Sequence, residues 1–194
     1  MLEKAILSYI RRKFSDVNHI TTNDLDSQLK QTYEPTKDVT QPDEKTDSKI
    51  YHVVLDCRRK DEYEVSHIPN SKHLHFQTDE ESLIDFLKGE ISKQCNSDSC
   101  NDELNVVCYC SLGYRSSILA QKVENLTRND PNLRLKNIKV WNLEGSIFKW
   151  ANESRPLKDL NEKPTTSVHP FSYTFCMFLE RKLWKWSPDH KDES

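Results

Sequence analysis

A cysteine lies where the sequence changes from a strand pattern to a helix pattern. Residues 106–109 (VVCY) form an apolar run typical of a buried strand, and Ile118, Leu119 and Val123 recur at helical spacing soon afterwards. Cys110 lies between the two patterns. In α/β folds ligands bind outside the carboxyl ends of the strands, so Cys110 is a candidate catalytic nucleophile.

The residues that follow this cysteine favour its anionic form. They make up a candidate substrate-binding loop: Ser111, Leu112, Gly113, Tyr114, Arg115 and Ser116. A helix N-terminus presents unpaired N–H groups and the positive end of the helix dipole, and both lower the pKa of a thiol. Gly113 allows a tight curl, Arg115 adds a charge or braces the loop, and Ser116 supplies a hydroxyl. Such a ring of donors would hold a sulfur anion or an oxyanion.

Three segments, in order along the chain, resemble the rhodanese-like sulfurtransferases. They are VVLDCR at 53–58, followed by Glu62 and SHIP at 66–69; CSLGYRS at 110–116; and VWNLEGS at 140–146, followed by Trp150. The resemblance implies a three-layer α/β fold, in which a central parallel sheet of about five strands is flanked by helices on both faces. It also implies sulfur transfer through a persulfide on Cys110, without a cofactor or a metal.

The implied reaction takes a sulfur from thiosulfate or from a small-molecule or protein persulfide and passes it to a thiol or to cyanide. Arg115 is the only cation in the loop. Because thiosulfate is doubly negative, a single cation argues against it as the natural donor. Asp56 and Glu62 are candidates to orient Arg58 or Arg115 through charge-assisted hydrogen bonds, and the sequence leaves the pairing open.

Two other functions compete with sulfur transfer. The first is an oxyanion enzyme, either a phosphatase or an arsenate reductase. Related phosphatases use a loop one residue longer, whereas four residues separate Cys110 from Arg115 here, and no histidine precedes the cysteine. The second alternative is a non-enzymatic binding or regulatory module. Its usual sign is loss of the loop cysteine, and Cys110 is present.

Length and composition indicate one domain with extensions. The 194 residues divide into an N-terminal helix at 1–19, a rhodanese-like domain at 20–157 with a flexible insertion at 34–49, and a C-terminal extension at 158–194. A net charge of −3 argues against a nucleic-acid partner. Six cysteines without a secretory leader favour a reducing compartment, and hence the cytoplasm.

The elements that would position the cysteine alternate between strands and helices. Strands are predicted from about residue 20 and at 51–56, 73–76, 106–109 and 138–141; helices are predicted after 20, capped by Thr22 or Asn23, and at 59–65, 80–93, 114–126 and 146–152. This alternation favours a parallel sheet covered by helices on both faces.

Each terminal segment has two interpretations. Residues 1–14 predict an amphipathic helix that either packs on the domain or acts as a mitochondrial presequence. Residues 165–186 carry aromatic residues at helical spacing and predict an amphipathic helix. That helix would either complete the core, against residues 1–14, or contact a membrane surface through Trp184 and Trp186.

The remaining thiols and one histidine have weaker claims to chemistry. Cys57 is either a resolving thiol for the nucleophile or a small core residue. Cys95 and Cys100 lie in a polar stretch, where exposed thiols are favoured over a metal site. Cys108 is predicted to be an inert core residue. His67 is either a general base or a brace for its turn.

Overall fold

Five parallel strands form the central sheet of a computed structural model that describes residues 2–33, 49–94, 102–134 and 137–186. The strands are β1 (Asn18–Ile20), β2 (Ile50–Asp56), β3 (Lys72–His73), β4 (Glu103–Tyr109) and β5 (Asn137–Leu143). Their order across the sheet is β1-β5-β4-β2-β3. Strand β4 is therefore central, and its neighbour β2 ends beside it, with Asp56 opposite Tyr109.

Helices cover both faces of this sheet. They are α1 (Leu2–Lys13), α2 (Thr22–Tyr33), α3 (Lys60–Val65), α4 (Glu80–Gln94), α5 (Tyr114–Asn129), α6 (Pro131–Arg134) and α7 (Ser146–Asn152). Side chains alternate along β4: Val106 and Cys108 join the core under α1, α4 and α5, whereas Val107 and Tyr109 join the core under α2 and α7. The predicted three-layer α/β fold is thus confirmed.

Several predicted boundaries differ in detail. Strand β3 lies one residue earlier than predicted and is shorter, and β5 is longer at both ends. The hydroxyl of Thr21, rather than Thr22 or Asn23, caps α2, accepting the N–H of Asp24 at 3.1 Å. Thr22 instead donates from Oγ1 to Glu153 at 2.6 Å. The predicted insertion, apart from Lys49, lies outside the described residues, as do Cys95 and Cys100.

Helix α1 packs on the domain at the edge of the candidate loop. Ile10 and Phe14 are buried in the same core as Cys110. The ring of Phe14 meets the ring of Tyr114 edge-on, with centroids 5.2 Å apart. These contacts support the packing interpretation of residues 1–14.

The C-terminal segment does not form the predicted amphipathic helix. A short hairpin of β6 (Leu157–Lys158) and β7 (Pro164–Thr165) is followed by two isolated 3-10 turns, at Cys176–Phe178 and Arg181–Leu183. The side chain of Asn152 hydrogen-bonds backbone groups that would pair with each other in a helix. Its Nδ2 donates to the carbonyl of Phe178 at 2.9 Å, and its Oδ1 accepts from the N–H of Glu180 at 3.0 Å. The aromatic spacing reflects packing of an irregular segment.

The packing of Trp184 favours the interpretation in which the C-terminal segment completes the core. Trp184 is partly buried against the core, and its Nε1 donates to the carbonyl of Leu179 at 2.9 Å. Among the helices in the described part of the chain, none combines the length and the apolar character needed to cross a membrane.

Candidate active site

Cys110 lies at the carboxyl end of β4, with 2% of its surface exposed. The backbone N–H of Gly113 donates to the sulfur of Cys110 at 3.1 Å. The hydroxyl of Ser116 lies 3.4 Å from the same sulfur. The curl predicted from the loop sequence thus directs donors at the cysteine sulfur.

The N-terminus of α7 fixes the backbone of this loop. The N–H of Ile147 donates to the carbonyl of Cys110 at 3.1 Å, and the N–H of Phe148 donates to the carbonyl of Ser111 at 3.2 Å. The N–H of Cys110 donates in turn to the hydroxyl of Ser146 at 3.1 Å. This contact adds Ser146 to the residues that the sequence predicts at the site. The loop is therefore bonded from behind by the helix that follows β5.

Gly113 and Asn142 meet at the turn of the loop. Gly113 has a φ of +114°, and a Cβ there would lie 3.3 Å from Nδ2 of Asn142. The side-chain oxygen of Asn142 accepts from the hydroxyl of Ser116 at 2.6 Å. Asn142 lies opposite Cys108 in the register of β5 against β4. A polar residue near the end of a strand adjacent to the nucleophile's strand is the sequence signal that would have identified it.

Glu62 and Arg115 form a buried two-pronged ion pair beneath the loop. Arg115 donates from Nη1 to Oε2 of Glu62 at 2.7 Å and from Nη2 to Oε1 at 2.8 Å. Nη2 also donates to the hydroxyl of Ser111 at 2.8 Å. Burial alone would raise the pKa of Glu62, but the hydrogen bonds and charge of Arg115 outweigh it and lower that pKa to about 2. Glu62 is therefore ionised, and Arg115 is held in one orientation.

Asp56 and Arg58 form the second buried pair, which resolves the pairing that the sequence left open. Nη2 of Arg58 donates to Oδ2 of Asp56 at 2.7 Å and to the carbonyl of Ser66 at 2.6 Å. Arg58 thereby connects the end of β2 to the end of α3, the helix that carries Glu62. Asp56 and Arg58 support the site through the backbone and do not reach the sulfur of Cys110.

Two adjacent thiols differ in their tendency to lose a proton. Burial would raise the pKa of Cys110, but a hydrogen bond from Cys57, the charge of Arg115 and the bonds of Ser116 lower that pKa well below its ordinary value. Burial and the nearby Cys110 anion instead raise the pKa of Cys57 well above its ordinary value. The two pKa values are therefore shifted in opposite directions, and Cys110 is the thiol that favours the anionic form.

A sequence model of the Rhodanese-like domain matches residues 36–153. The chain belongs to the rhodanese-like domain family. The matched range contains Cys110, the whole loop, both buried ion pairs and helix α7. No curated protein matches the chain.

Solved structures of this family share the fold of this rhodanese-like chain. Two structures of one Saccharomyces cerevisiae protein, described as a protein tyrosine phosphatase of the rhodanese family and as a homologue of single-domain rhodanese and the Cdc25 phosphatase catalytic domain, have TM-scores of 0.51 at 21% identity. The alignment with the first covers 70% of this chain and 85% of the yeast chain. The alignment with the second covers 72% and 82%, respectively. A thiosulfate sulfurtransferase from Pseudomonas aeruginosa has a TM-score of 0.49 at 16% identity, covering 81% of this chain and 23% of its own.

Two residues with weaker claims occupy structural positions in this rhodanese-like domain. Cys108 is fully buried inside β4, and burial raises its pKa. His67 exchanges backbone hydrogen bonds with Lys158 at 2.8 and 3.0 Å, and its ring stacks on Tyr63. His67 therefore braces a turn, as one of its two interpretations expected.

A cavity of about 340 Å³ opens above the rhodanese loop. Its floor is formed by the loop residues Cys110, Ser111, Leu112 and Arg115, with Tyr114 beside them. Its walls come from the two terminal segments: Ile6, Tyr9 and Ile10 of α1, and Phe171 and Phe175 of the C-terminal segment. The surface of this cavity is almost entirely apolar. Sequence reasoning identified the floor, but it did not place either terminal segment at the site.

Proposed function

We propose that this protein is a sulfurtransferase that carries sulfane sulfur as a persulfide on Cys110. The observation that carries the proposal is the pair of donors directed at the sulfur of Cys110, the N–H of Gly113 and the hydroxyl of Ser116 at 3.4 Å. They favour the thiolate, which is the form of a cysteine that is a strong nucleophile toward sulfur. The N–H of Gly113, 3.1 Å from the sulfur, is placed to stabilise that anion.

In the first half-reaction the thiolate of Cys110 attacks the outer sulfur of the donor. A new S–S bond forms at Cys110, and the bond between the donor's outer sulfur and the rest of the donor breaks. The electron pair of the broken bond leaves with the donor remnant, a thiolate from a persulfide or sulfite from thiosulfate. The covalent intermediate is the persulfide anion of Cys110.

In the second half-reaction an acceptor thiolate or cyanide attacks the outer sulfur of this persulfide. The bond to Cys110 breaks, and its electron pair returns the cysteine to the thiolate form. Cys57 keeps its own proton through this step, because its pKa is raised and its thiol donates to the carbonyl of Tyr109 at 2.9 Å. The donor and acceptor therefore react in turn at one sulfur atom.

The geometry disfavours phosphatase chemistry, although the yeast relative is described as a phosphatase. Transfer of a phosphoryl group needs donors that are free to receive the phosphate oxygens. Three hydrogen bonds from Arg115 are already made to Glu62 and Ser111, and its guanidinium lies 4.3 Å from the ring centroid of Phe171. Arg115 is thus engaged as a brace for the loop.

We also propose a cytoplasmic location. Cys57, Cys108, Cys110 and Cys176 are free thiols. Free thiols persist where glutathione and thioredoxin keep proteins reduced.

Release of thiocyanate from cyanide, together with mass spectrometry of the protein after incubation with donors, tests the function. Cys110→Ser should abolish both turnover and the mass gain of one sulfur atom, because serine is nearly isosteric but far less nucleophilic. Cys108→Ser is the matched control: it should keep turnover while lowering the free energy of unfolding by about 1 to 3 kcal/mol, as it buries a hydroxyl. If turnover survived in Cys110→Ser and disappeared in Cys108→Ser, the assignment of Cys110 as the nucleophile would be wrong. Absence of sulfur loading by every donor would leave a binding module or a phosphatase.

A further inference from the structure

The walls of the cavity above Cys110 come from parts of this chain that the family match does not include. The match spans residues 36–153. Ile6, Tyr9 and Ile10 precede it, and Phe171 and Phe175 follow it. The reacting sulfur and its loop therefore lie inside the matched range, whereas the surface that meets the rest of a donor lies outside it.

Phe171 lies at the cavity in an unfavourable backbone conformation. Its φ is +66°, a left-handed value that a bulky residue rarely adopts. Its N–H donates to Nδ1 of His169 at 3.1 Å, and its ring lies over the guanidinium of Arg115 at 4.3 Å. His169 is fully buried. Strain of this kind persists where surrounding contacts fix a residue at a functional site.

The charges at the cavity suit a donor with one negative charge. Among the described lining residues Arg115 is the only charged side chain besides the Cys110 thiolate, and Glu62 already neutralises Arg115. Lys13 lies nearby, 4.9 Å from the ring of Tyr114, but it does not line the cavity. A dianion such as thiosulfate would approach a thiolate through apolar walls that hold no unpaired cation.

The size of the cavity suits an apolar organic group. An apolar cavity of about 150 Å³ is enough to hold benzene. The cavity here is about 340 Å³. An aromatic ring or a medium-length alkyl chain would therefore fit between Phe175 and Ile6 while its sulfur reached Cys110.

We propose that the sulfur donor is an organic monoanion, a persulfide or thiosulfonate whose outer sulfur is linked to an apolar aryl or alkyl group. This inference rests on the proposed sulfur transfer. With a thiosulfonate, the thiolate of Cys110 bonds to the outer sulfur, the S–S bond of the donor breaks, and its electron pair leaves as an organic sulfinate. Before the step, the Cys110 thiolate and the thiosulfonate each carry one negative charge. After it, the Cys110 persulfide and the sulfinate each carry one.

The test compares kcat/KM for benzenethiosulfonate, methanethiosulfonate and thiosulfate in the full chain, with cyanide as the acceptor. Each value is divided by the rate constant for uncatalysed attack of cyanide on the same donor. Burial of the ring should make the corrected value for benzenethiosulfonate about 30-fold higher than that for methanethiosulfonate. Corrected values within about threefold of each other would overturn the proposed donor class.

Variants of the wall locate the preference. Phe175→Ala should lower the preference for the aryl donor about tenfold by removing its contact surface. Ile6→Arg should raise kcat/KM for thiosulfate and lower it for benzenethiosulfonate, because it adds a cation to an apolar wall. Met177→Ala is the matched control, since Met177 is 63% exposed, lies two residues from Phe175 and does not line the cavity. An equal loss of preference in the control would also overturn the proposal.

The outcomes separate this inference from the function on which it rests. Loading of Cys110 by all three donors without an aryl preference would remove the donor class and leave the sulfurtransferase. No loading of Cys110 by any of them would overturn both.

Discussion

The carboxylate of Glu62 and the guanidinium of Arg115 face each other through two hydrogen bonds of 2.7 and 2.8 Å. Glu62 belongs to α3 and Arg115 to α5, so this pair connects the region after β2 to the loop after β4. Glu62 also accepts the hydroxyl of Ser111 at 3.1 Å. The pair therefore fixes the shape of the loop that holds the sulfur of Cys110.

Arg115→Lys and Arg115→Ala should both lose most activity, by about tenfold or more, if bracing dominates. Lysine keeps the charge but lacks the planar fork that pairs with both carboxylate oxygens. The measurement is turnover in both variants beside the pH dependence of iodoacetamide reaction at Cys110. An active lysine variant, with a raised Cys110 pKa only in the alanine variant, would show that Arg115 acts as a charge.

Glu62→Gln tests the same pair from the other side. It leaves Arg115 charged beneath the loop without its counter-charge, so the free energy of unfolding should fall by about 3 to 5 kcal/mol. Chemical denaturation at neutral pH measures the loss. The exposed pair of Lys182 and Glu180 provides the control, because Glu180→Gln removes a surface ion pair and should cost less than about 1 kcal/mol. Equal costs for the two substitutions would contradict the bracing role.

The reactivity of Cys110 should depend less on pH than that of a free thiol, since its pKa is lowered. The rate constant for iodoacetamide should fall less steeply below about pH 8 than that of a free thiol, which with a pKa of about 8.5 loses about tenfold per pH unit. Cys110→Ser identifies the reacting thiol. A tenfold loss per unit in the wild-type protein would show that Cys110 is an ordinary thiol.

The lowered pKa also affects stability. Between the folded and unfolded pKa values the unfolded state binds more protons at this cysteine, so stability rises with pH there. The contribution of the thiolate is complete above the unfolded pKa and is lost as pH falls through the folded one. The difference in Tm between wild type and Cys110→Ser should therefore narrow as the pH is lowered.

The sequence was sufficient to predict the fold and the position of Cys110 at the end of a strand, because both depend on local patterns. The apolar run at 106–109 is typical of a buried strand, and Cys110 follows it directly. The partner of Arg115 depended on three-dimensional placement, since Asp56 and Glu62 are both close in sequence to β2 and only the orientation of α3 separates them.

The C-terminal segment shows why the rest was not predictable. Phe171, Phe175 and Phe178 recur at helical spacing, but they satisfy it by packing in an irregular path. Tertiary contacts determine the backbone conformation there. Asn152 bonds the carbonyl of Phe178 and the N–H of Glu180, and the N–H of Phe171 donates to His169. Periodicity shows which residues are apolar, but it does not show which groups their backbone N–H and C=O will bond.

Replacing residues 34–48 with a short Gly-Ser linker should change the free energy of unfolding by no more than about 1 kcal/mol. The composition of this segment offers little to bury, and loop-closure entropy changes slowly with length. Lys49 is kept, because its N–H donates to Oδ1 of Asp102 at 3.0 Å. Thermal unfolding and thiocyanate release are the measurements. A fall in Tm of more than about 5 °C would show that the segment packs on the domain.

Phe171→Gly and Phe171→Ala separate the ring of Phe171 from its backbone. Both variants remove the ring over Arg115, but only glycine adopts a φ of +66° without strain. The glycine variant should therefore be more stable than the alanine variant by about 1 kcal/mol, the reverse of their usual order in helices and strands. Both should show the same reduced kcat/KM for an aryl donor, because activity depends on the ring rather than on the Cβ. Denaturant unfolding and donor kinetics on the two proteins provide the comparison. An alanine variant as stable as the glycine variant would show that the backbone at 171 is unstrained, and unequal kinetics would show that the backbone, rather than the ring, sets the cavity.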